Sequence, residues 1–283
     1  MFCYKNRCII VKRFIKEEFN LKIGFIGCGN MGSAMIKGIK STYKDNVDIY
    51  VSDLDKVKLN KIKEKYNVII ANNQEVVKNA EIFFLAVKPN VYDEVLNEIK
   101  ELVSADKIVI TIAAGKKISD VQNKLGAKKI VRIMPNTPAM VGEAMTAIVF
   151  NELISEEEKN QISDIIKSFG KLQLVDEKYM SAMTALAGSS PAYIYMVIEA
   201  MADAGVLLGL KREDSYKIVA QSVLGSAKMV LESGEIPAKL KDDVCSPAGT
   251  TIEAVRVLEQ KGIRSAFIEA IKSCHEKSES MSK

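Results

Sequence analysis

From residue 21 onward, short apolar runs alternate with stretches in which apolar residues recur every three or four positions. Residues 23–26, 47–51, 68–70, 82–87, 108–112 and 130–134 read as strands. Helical spacing follows the first of them at Met31, Ala34, Met35 and Ile39, and recurs near Val76, over 93–102 and over 118–125. Strands this short and this continuously apolar, separated by helices, predict a mostly parallel sheet covered on both faces. Two further strands, 144–150 and 171–175, flank an expected helix over 156–169.

The pattern changes after residue 176. Residues 180–206 read as one long, unusually apolar helix, and 211–231, 249–260 and 263–276 also suit helices, while the tail KSESMSK is expected to fray. Within the long helix, the run from Ala192 to Ile198 is apolar on every side, more than a solvent-facing helix accommodates. Packing between subunits, with a homodimer as the minimum and a larger homo-oligomer allowed, is the expected use of that surface.

Composition narrows the classes. With 48% hydrophobic residues and six prolines in 283 positions, the chain has the means for a packed core and is not generally disordered. Its 40 basic and 36 acidic side chains are interspersed, so the net charge of +4 makes no nucleic-acid footprint. No apolar run approaches the roughly 20 residues of a membrane span. Cys3, Cys8, Cys28, Cys245 and Cys274 form no CxxC pair and no zinc-like spacing, which suits reduced thiols in a cytoplasmic protein and no metal site. Residues 1–20 are basic before Glu17 and carry too short an apolar run for a signal peptide, so they read as an added helix or disordered arm, with organelle targeting or a membrane-surface segment as the alternatives.

The first candidate site follows the first strand. Gly27, Gly29 and Gly32 form GxGxxG: the first allows the sharp turn, the second leaves room for a pyrophosphate, and the third permits close helix packing. Cys28, Asn30 and Met31 fill the turn and the helix start, whose N–H groups can face phosphates. At the end of the second strand, Ser52 and Asp53 stand where an adenine ribose would lie. The charge on Asp53 favours a free diol over a 2′-phosphate, a modest lean to NADH over NADPH, with Lys56, Lys58 or Ser52 able to tip it the other way. Asp53 also fits an exposed turn or helix cap. Later strands end on Ala86, Val87, Lys88 and Pro89, on Ala113, Ala114 and Gly115, and on Asn136 and Thr137, residues suited to a rigid wall around a nicotinamide ring. Lys88 fits either a ligand contact or an ordinary strand-exit lysine.

In order, GFIGCGNMG, FFLAVKP, TIAAG, RIMPNTPA, TALAGSSPAY and LKDDVCSPAGTTIEAV resemble the pyrroline-5-carboxylate reductase family over roughly residues 22–275. The resemblance implies an α/β fold, with an N-terminal Rossmann-like dinucleotide-binding domain at 21–176 and a C-terminal all-helical dimerisation and substrate-binding domain at 177–283. It implies hydride transfer from NADPH or NADH to L-1-pyrroline-5-carboxylate, giving L-proline, at a site completed by the dimer interface. Ser246, Pro247, Ala248, Gly249 and Thr250 match the family's loop for the substrate carboxylate, and Thr251 matches the threonine that hydrogen-bonds the pyrroline nitrogen.

Physically, a turn leading into a helix focuses N–H donors on an anion. Ser246 and Thr250 fit helix caps as well, with Glu253 completing a capping box. The chain departs from the family at Ala248, commonly glycine, and at Ser181, Ala187, Ser190 and Cys245. His275 is expected at a helix end or as a solvated side chain, and Ser189 has no histidine near it in sequence to make it a nucleophile. Two other functions remain open: reduction of another cyclic imine or ketimine acid, and nonenzymatic regulation by dinucleotide binding.

Overall fold

The computed structural model describes residues 20–281. The expectation of an N-terminal arm, and the cysteines at 3 and 8, lie outside the described residues. The apolar runs become eight strands: β1 (Leu21–Ile26), β2 (Val47–Ser52), β3 (Ile69–Ile70), β4 (Ile82–Leu85), β5 (Ile108–Thr111), β6 (Lys129–Met134), β7 (Ala144–Phe150) and β8 (Gly170–Leu174). They form one sheet in the order β3-β2-β1-β4-β5-β6-β7-β8. The pairs from β3 to β6 are parallel, β7 runs antiparallel to β6, and β8 runs parallel to β7. The reversal at β7 follows from chain length: a parallel crossover needs roughly a dozen residues or more, and residues 135–143 are too few.

Helices α1 (Asn30–Tyr43), α2 (Lys56–Tyr66), α3 (Asn73–Asn79), α4 (Pro89–Ile99), α5 (Ile118–Leu125) and α6 (Glu156–Lys167) separate the strands. Alternate strand residues point to opposite faces, giving two apolar cores. Phe25, Ile49 and Phe84 meet Met35, Ile39 and Ile162 on one face; Phe83 and Val109 meet Val76, Tyr92 and Val121 on the other. Phe25 and Phe84, in register on neighbouring strands, stack with centroids 4.6 Å apart. Because strand order reverses between β1 and β4, the helices leaving those strands go to opposite sides and leave a crevice beyond their carboxyl ends, where open α/β sheets bind ligands.

Contacts divide the chain after Met183 into this sheet unit and a helical unit, Thr184–Ser280. The single helix expected over 180–206 is three pieces: α7 (Met180–Met183), a π turn (Thr184–Gly188) and α8 (Ser190–Leu207). Pro191 in the first turn of α8 has no N–H to continue the ladder, and the wide turn closes through Ser189 N–H on the Thr184 carbonyl at 2.8 Å. Then come α9 (Arg212–Glu232), α10 (Pro237–Asp243), α11 (Thr250–Gln260) and α12 (Ile263–Met281). The short, polar α10 is an element the apolar pattern does not signal. The tail expected to fray is helical through Met281, since nothing in KSESM breaks a helix.

The helical unit has little core of its own. Ala202 is the buried residue of α8, Ser215 and Val219 are those of α9, and α10, α11 and α12 have none among the described residues. Met196, Leu207, Leu231 and Ile268 are exposed. No described helix is long and apolar enough to cross a membrane.

Candidate dinucleotide and anion sites

The glycine turn after β1 separates three roles by geometry. Gly27 has φ +99°, and a side-chain carbon there would lie 2.6 Å from the Ala86 carbonyl oxygen; one at Gly32 would lie 2.7 Å from the Gly27 carbonyl. Both are therefore fixed by the protein's own packing. Gly29 is different: a carbon added there meets nothing within 4 Å. Its missing side chain leaves open space beside the start of α1, which has no side-chain cap and no acidic residue in its first turn. A helix end of this kind presents N–H groups and a positive dipole to a phosphate.

Asp53 holds this turn. Its Oδ2 accepts from Cys28 N–H at 2.7 Å and its Oδ1 from Asp55 N–H at 2.9 Å. Burial pushes the carboxyl's pKa up, but the hydrogen bonds from Asp55 and Cys28 outweigh it, so the pKa lies below the usual carboxylate value. A carboxylate has about four lone-pair positions, so Asp53 retains capacity for a ligand. The cap of α2 is Asp55, which accepts from Val57 and Lys58 N–H; a cap at Asp53 does not form. Cys28 is buried, and burial followed by the charge of Asp53 pushes its thiol up to about 12, which makes it inert rather than reactive.

Behind β2 lies a group that the sequence does not announce. Ser52, nearly buried, donates to Asn73 Oδ1 at 2.5 Å, and Asn73 Nδ2 donates to Glu98 Oε2 at 2.6 Å. The neighbouring Asn72 forms a capping box with Glu75, and that N-x-x-E pattern is the signal that would have drawn attention to this corner.

The remaining strand ends emerge on the same edge because β1, β2, β4, β5 and β6 are parallel. Ala86 and Val87 back the Gly27 turn; Lys88 is exposed at the N-cap of α4, with Pro89 as that helix's first residue. Ala113 is buried, Ala114 exposed, and Gly115 has φ +79°. Asn136 is buried and accepts from Met145 N–H at 3.0 Å, so part of its polarity pins β7. Thr137 is exposed, and the turn it begins is tied to α1 by Lys37 Nζ on the Met140 carbonyl at 2.7 Å. Below this edge the buried Arg132 pairs at 3.0 Å with Glu177, whose Oε1 also accepts from Ile118 N–H at 2.8 Å.

In the helical unit, residues 245–249 turn into α11. Gly249 N–H donates to the Ser246 carbonyl at 3.0 Å, and a side-chain carbon at Gly249 would lie 2.3 Å from Ser246 Oγ. The N-cap of α11 is Gly249, with no side-chain cap bond, so the caps considered for Ser246 and Thr250 do not form; Glu253 pairs with Arg256 instead. Ser246, Pro247, Ala248, Thr250 and Thr251 are exposed around an open helix start.

Family models match along both units: "Pyrroline-5-carboxylate reductase dimerisation" over residues 177–281, and "NADP oxidoreductase coenzyme F420-dependent" over 22–115. The pyrroline-5-carboxylate reductase of Escherichia coli K12 is 47% identical over 267 residues, covering 93% of this chain and 98% of that one. The chain belongs to the pyrroline-5-carboxylate reductase family. The enzyme of Pisum sativum is 37% identical, covering 92% of this chain and 96% of its own. Among solved structures, the pyrroline carboxylate reductase of Plasmodium falciparum with NADP bound is 34% identical with a TM-score of 0.83, covering 94% of this chain and 99% of that one. The Coxiella burnetii reductase gives 34% and 0.86, over 93% and 99%.

The departures from the reductase pattern now have physical descriptions. Ala248 has φ +57°, a left-handed backbone that glycine adopts without strain. Ser181 and Ala187 are buried, and Ser190 Oγ donates to the Ala187 carbonyl at 3.3 Å, inside the π turn region. Cys245 N–H donates to the Asp242 carbonyl at 3.0 Å. His275 lies within the last two turns of α12, partly exposed, with its Nδ1 buried and without a hydrogen-bond partner among the described residues. Cys274, its neighbour, lies 3.4 Å from Ser189 Oγ. No group of three or more His, Cys, Asp or Glu among the described residues is placed to hold a metal ion.

Proposed function

We propose that this chain is an NAD(P)H-dependent pyrroline-5-carboxylate reductase, reducing L-1-pyrroline-5-carboxylate to L-proline in the cytoplasm. The observation that carries the reading is the open space at Gly29, beside the uncapped start of α1 and the fixed carboxylate of Asp53, in a chain related along its length to these reductases. The dinucleotide, when bound, supplies the hydride that adds to C5 of the imine.

The chain's own contribution is placement. N–H groups at the start of α1 hold the pyrophosphate, and the ends of β4, β5 and β6 form the wall around the nicotinamide. In the helical unit, the turn at Ser246–Gly249 and the first N–H groups of α11 hold the substrate carboxylate, and Thr251 orients the ring nitrogen by a hydrogen bond. A threonine hydroxyl is too weak an acid to drive the proton transfer, so its role is positioning. Asp53 favours the unphosphorylated ribose of NADH, while the NADP seen in the Plasmodium falciparum relative supports use of both dinucleotides. The bare apolar faces of α8 to α12 support a homodimer, with larger assembly open.

The test follows oxidation of NADH and of NADPH by full-length protein with L-1-pyrroline-5-carboxylate, confirming proline as product. Stoichiometric proline supports the reading. A folded, dinucleotide-binding protein that leaves this imine untouched refutes it and turns the search to other cyclic imines.

A further inference from the structure

The hydrogen-bonded chain from Ser52 to Glu98 has a direction that chemistry imposes. A carboxylate such as that of Glu98 only accepts, so Asn73 presents its NH₂ to Glu98, at 2.6 Å, and its oxygen to Ser52. That oxygen takes the Ser52 hydroxyl proton at 2.5 Å. A hydroxyl has one proton to give; with it committed to Asn73, Ser52 offers only lone pairs at the end of β2. Asp53, the next residue, also only accepts, and is held ionised by Asp55 and Cys28 N–H. The nearby Lys58 ammonium pairs with Asp55 at 3.3 Å. The end of β2 is thus polarised as an acceptor surface, matched to a diol that donates two protons and mismatched to a phosphate monoester, which brings acceptors and negative charge.

We infer that Glu98, acting through Asn73, is a specificity-determining residue of the dinucleotide site: it sets the direction of the Ser52 proton and biases the chain toward a dinucleotide with an unphosphorylated adenine ribose. This rests on the reading that β2 ends beside that ribose. Glu98 is exposed on α4, away from the glycine turn in sequence, and touches no other element of the candidate site by a hydrogen bond among the described residues.

The test measures kcat/KM and dissociation constants for NADH and NADPH on the full-length protein and on Glu98→Gln, Glu98→Ala, Ser52→Ala and the Ser52→Ala/Glu98→Gln pair. Glutamine offers either end of its amide, so the direction of the chain is released. The NADPH-to-NADH ratio should rise about threefold to tenfold, the span of one neutral hydrogen bond, with the change in KM and dissociation constant rather than kcat. Glu98→Ala should move the ratio the same way. Without the Ser52 hydroxyl, Glu98→Gln should leave the ratio where Ser52→Ala puts it.

Equal weakening of both dinucleotides, an unchanged ratio, or a shift that persists without Ser52 overturns the inference while leaving dinucleotide binding intact. Failure of the folded wild-type protein to bind either dinucleotide overturns the underlying reading of the site as well.

Discussion

Ala248 offers a measurement in which the backbone alone is at issue. At φ +57° it occupies a left-handed conformation that costs an L-residue about 1–2 kcal/mol. Ala248→Gly removes that strain but adds freedom to the unfolded chain, worth about 0.4–1 kcal/mol in the other direction. The balance is a stabilisation of about 0.5–1 kcal/mol, or a rise in Tm of about 1–4 °C for a chain of this size. Ala248→Val should do the opposite, since a β-branched residue fits this region worst. Moving the turn would also displace Ser246 from Gly249, so the KM for the substrate should rise in the valine variant and hold in the glycine variant. Thermal unfolding at one fixed protein concentration, paired with substrate titrations, reads both. A lower Tm for Ala248→Gly together with a neutral Ala248→Val would show that this residue is not left-handed in solution, and the argument for the turn would fall with it.

Other substitutions separate packing from ligand space. Gly29→Ala should leave Tm unchanged and raise the KM for dinucleotide at least severalfold, whereas Gly32→Ala, blocked at 2.7 Å by the Gly27 carbonyl, should lower Tm as well; equal stability losses would refute the distinction. Because Asp53 has a folded pKa below its unfolded value, its contribution is present above the unfolded carboxylate pKa, about 3.9, and is lost as pH falls through the lower folded value. Acid titration of wild type against Asp53→Asn should therefore show curves that converge only in that acidic window; a difference that closes near neutrality would contradict the assignment. Glu177→Ala strips the buried Arg132 of its carboxylate and Ile118 N–H of an acceptor, and should cost about 1–3 kcal/mol, less than for a fully buried pair because Glu177 is partly exposed. Chemical denaturation tests this, and a neutral outcome would mean that solvent replaces the carboxylate.

The sheet was legible because its signal is local. Burial on both faces makes parallel strands continuously apolar, and 144–150 and 118–125 emerge with the bounds the sequence suggests. The GxGxxG turn was legible for the same reason, although only the fold shows that Gly27 and Gly32 answer to the Ala86 and Gly27 carbonyls while Gly29 answers to nothing among the described residues. The break in the long helix was less visible: Pro191 is a conspicuous residue, but proline is tolerated in a first turn, and the π turn before it leaves no mark in the periodicity. Glu98 was invisible. Its link to Ser52 runs through an asparagine in a different helix, and pairings across so many residues have no repeat for a sequence reading to detect.

The helices α10, α11 and α12 bury no residue within one copy, and this bears on how the protein is made. The sheet closes by encounters within a single chain, at a rate indifferent to how many chains are present. If the homodimer proposed above completes the helical half, that step needs a second molecule and its rate climbs with concentration, so a sparse supply prolongs the interval in which Leu207, Leu231 and Ile268 face water. Yield then depends on the pace of synthesis as much as on the stability of the finished enzyme.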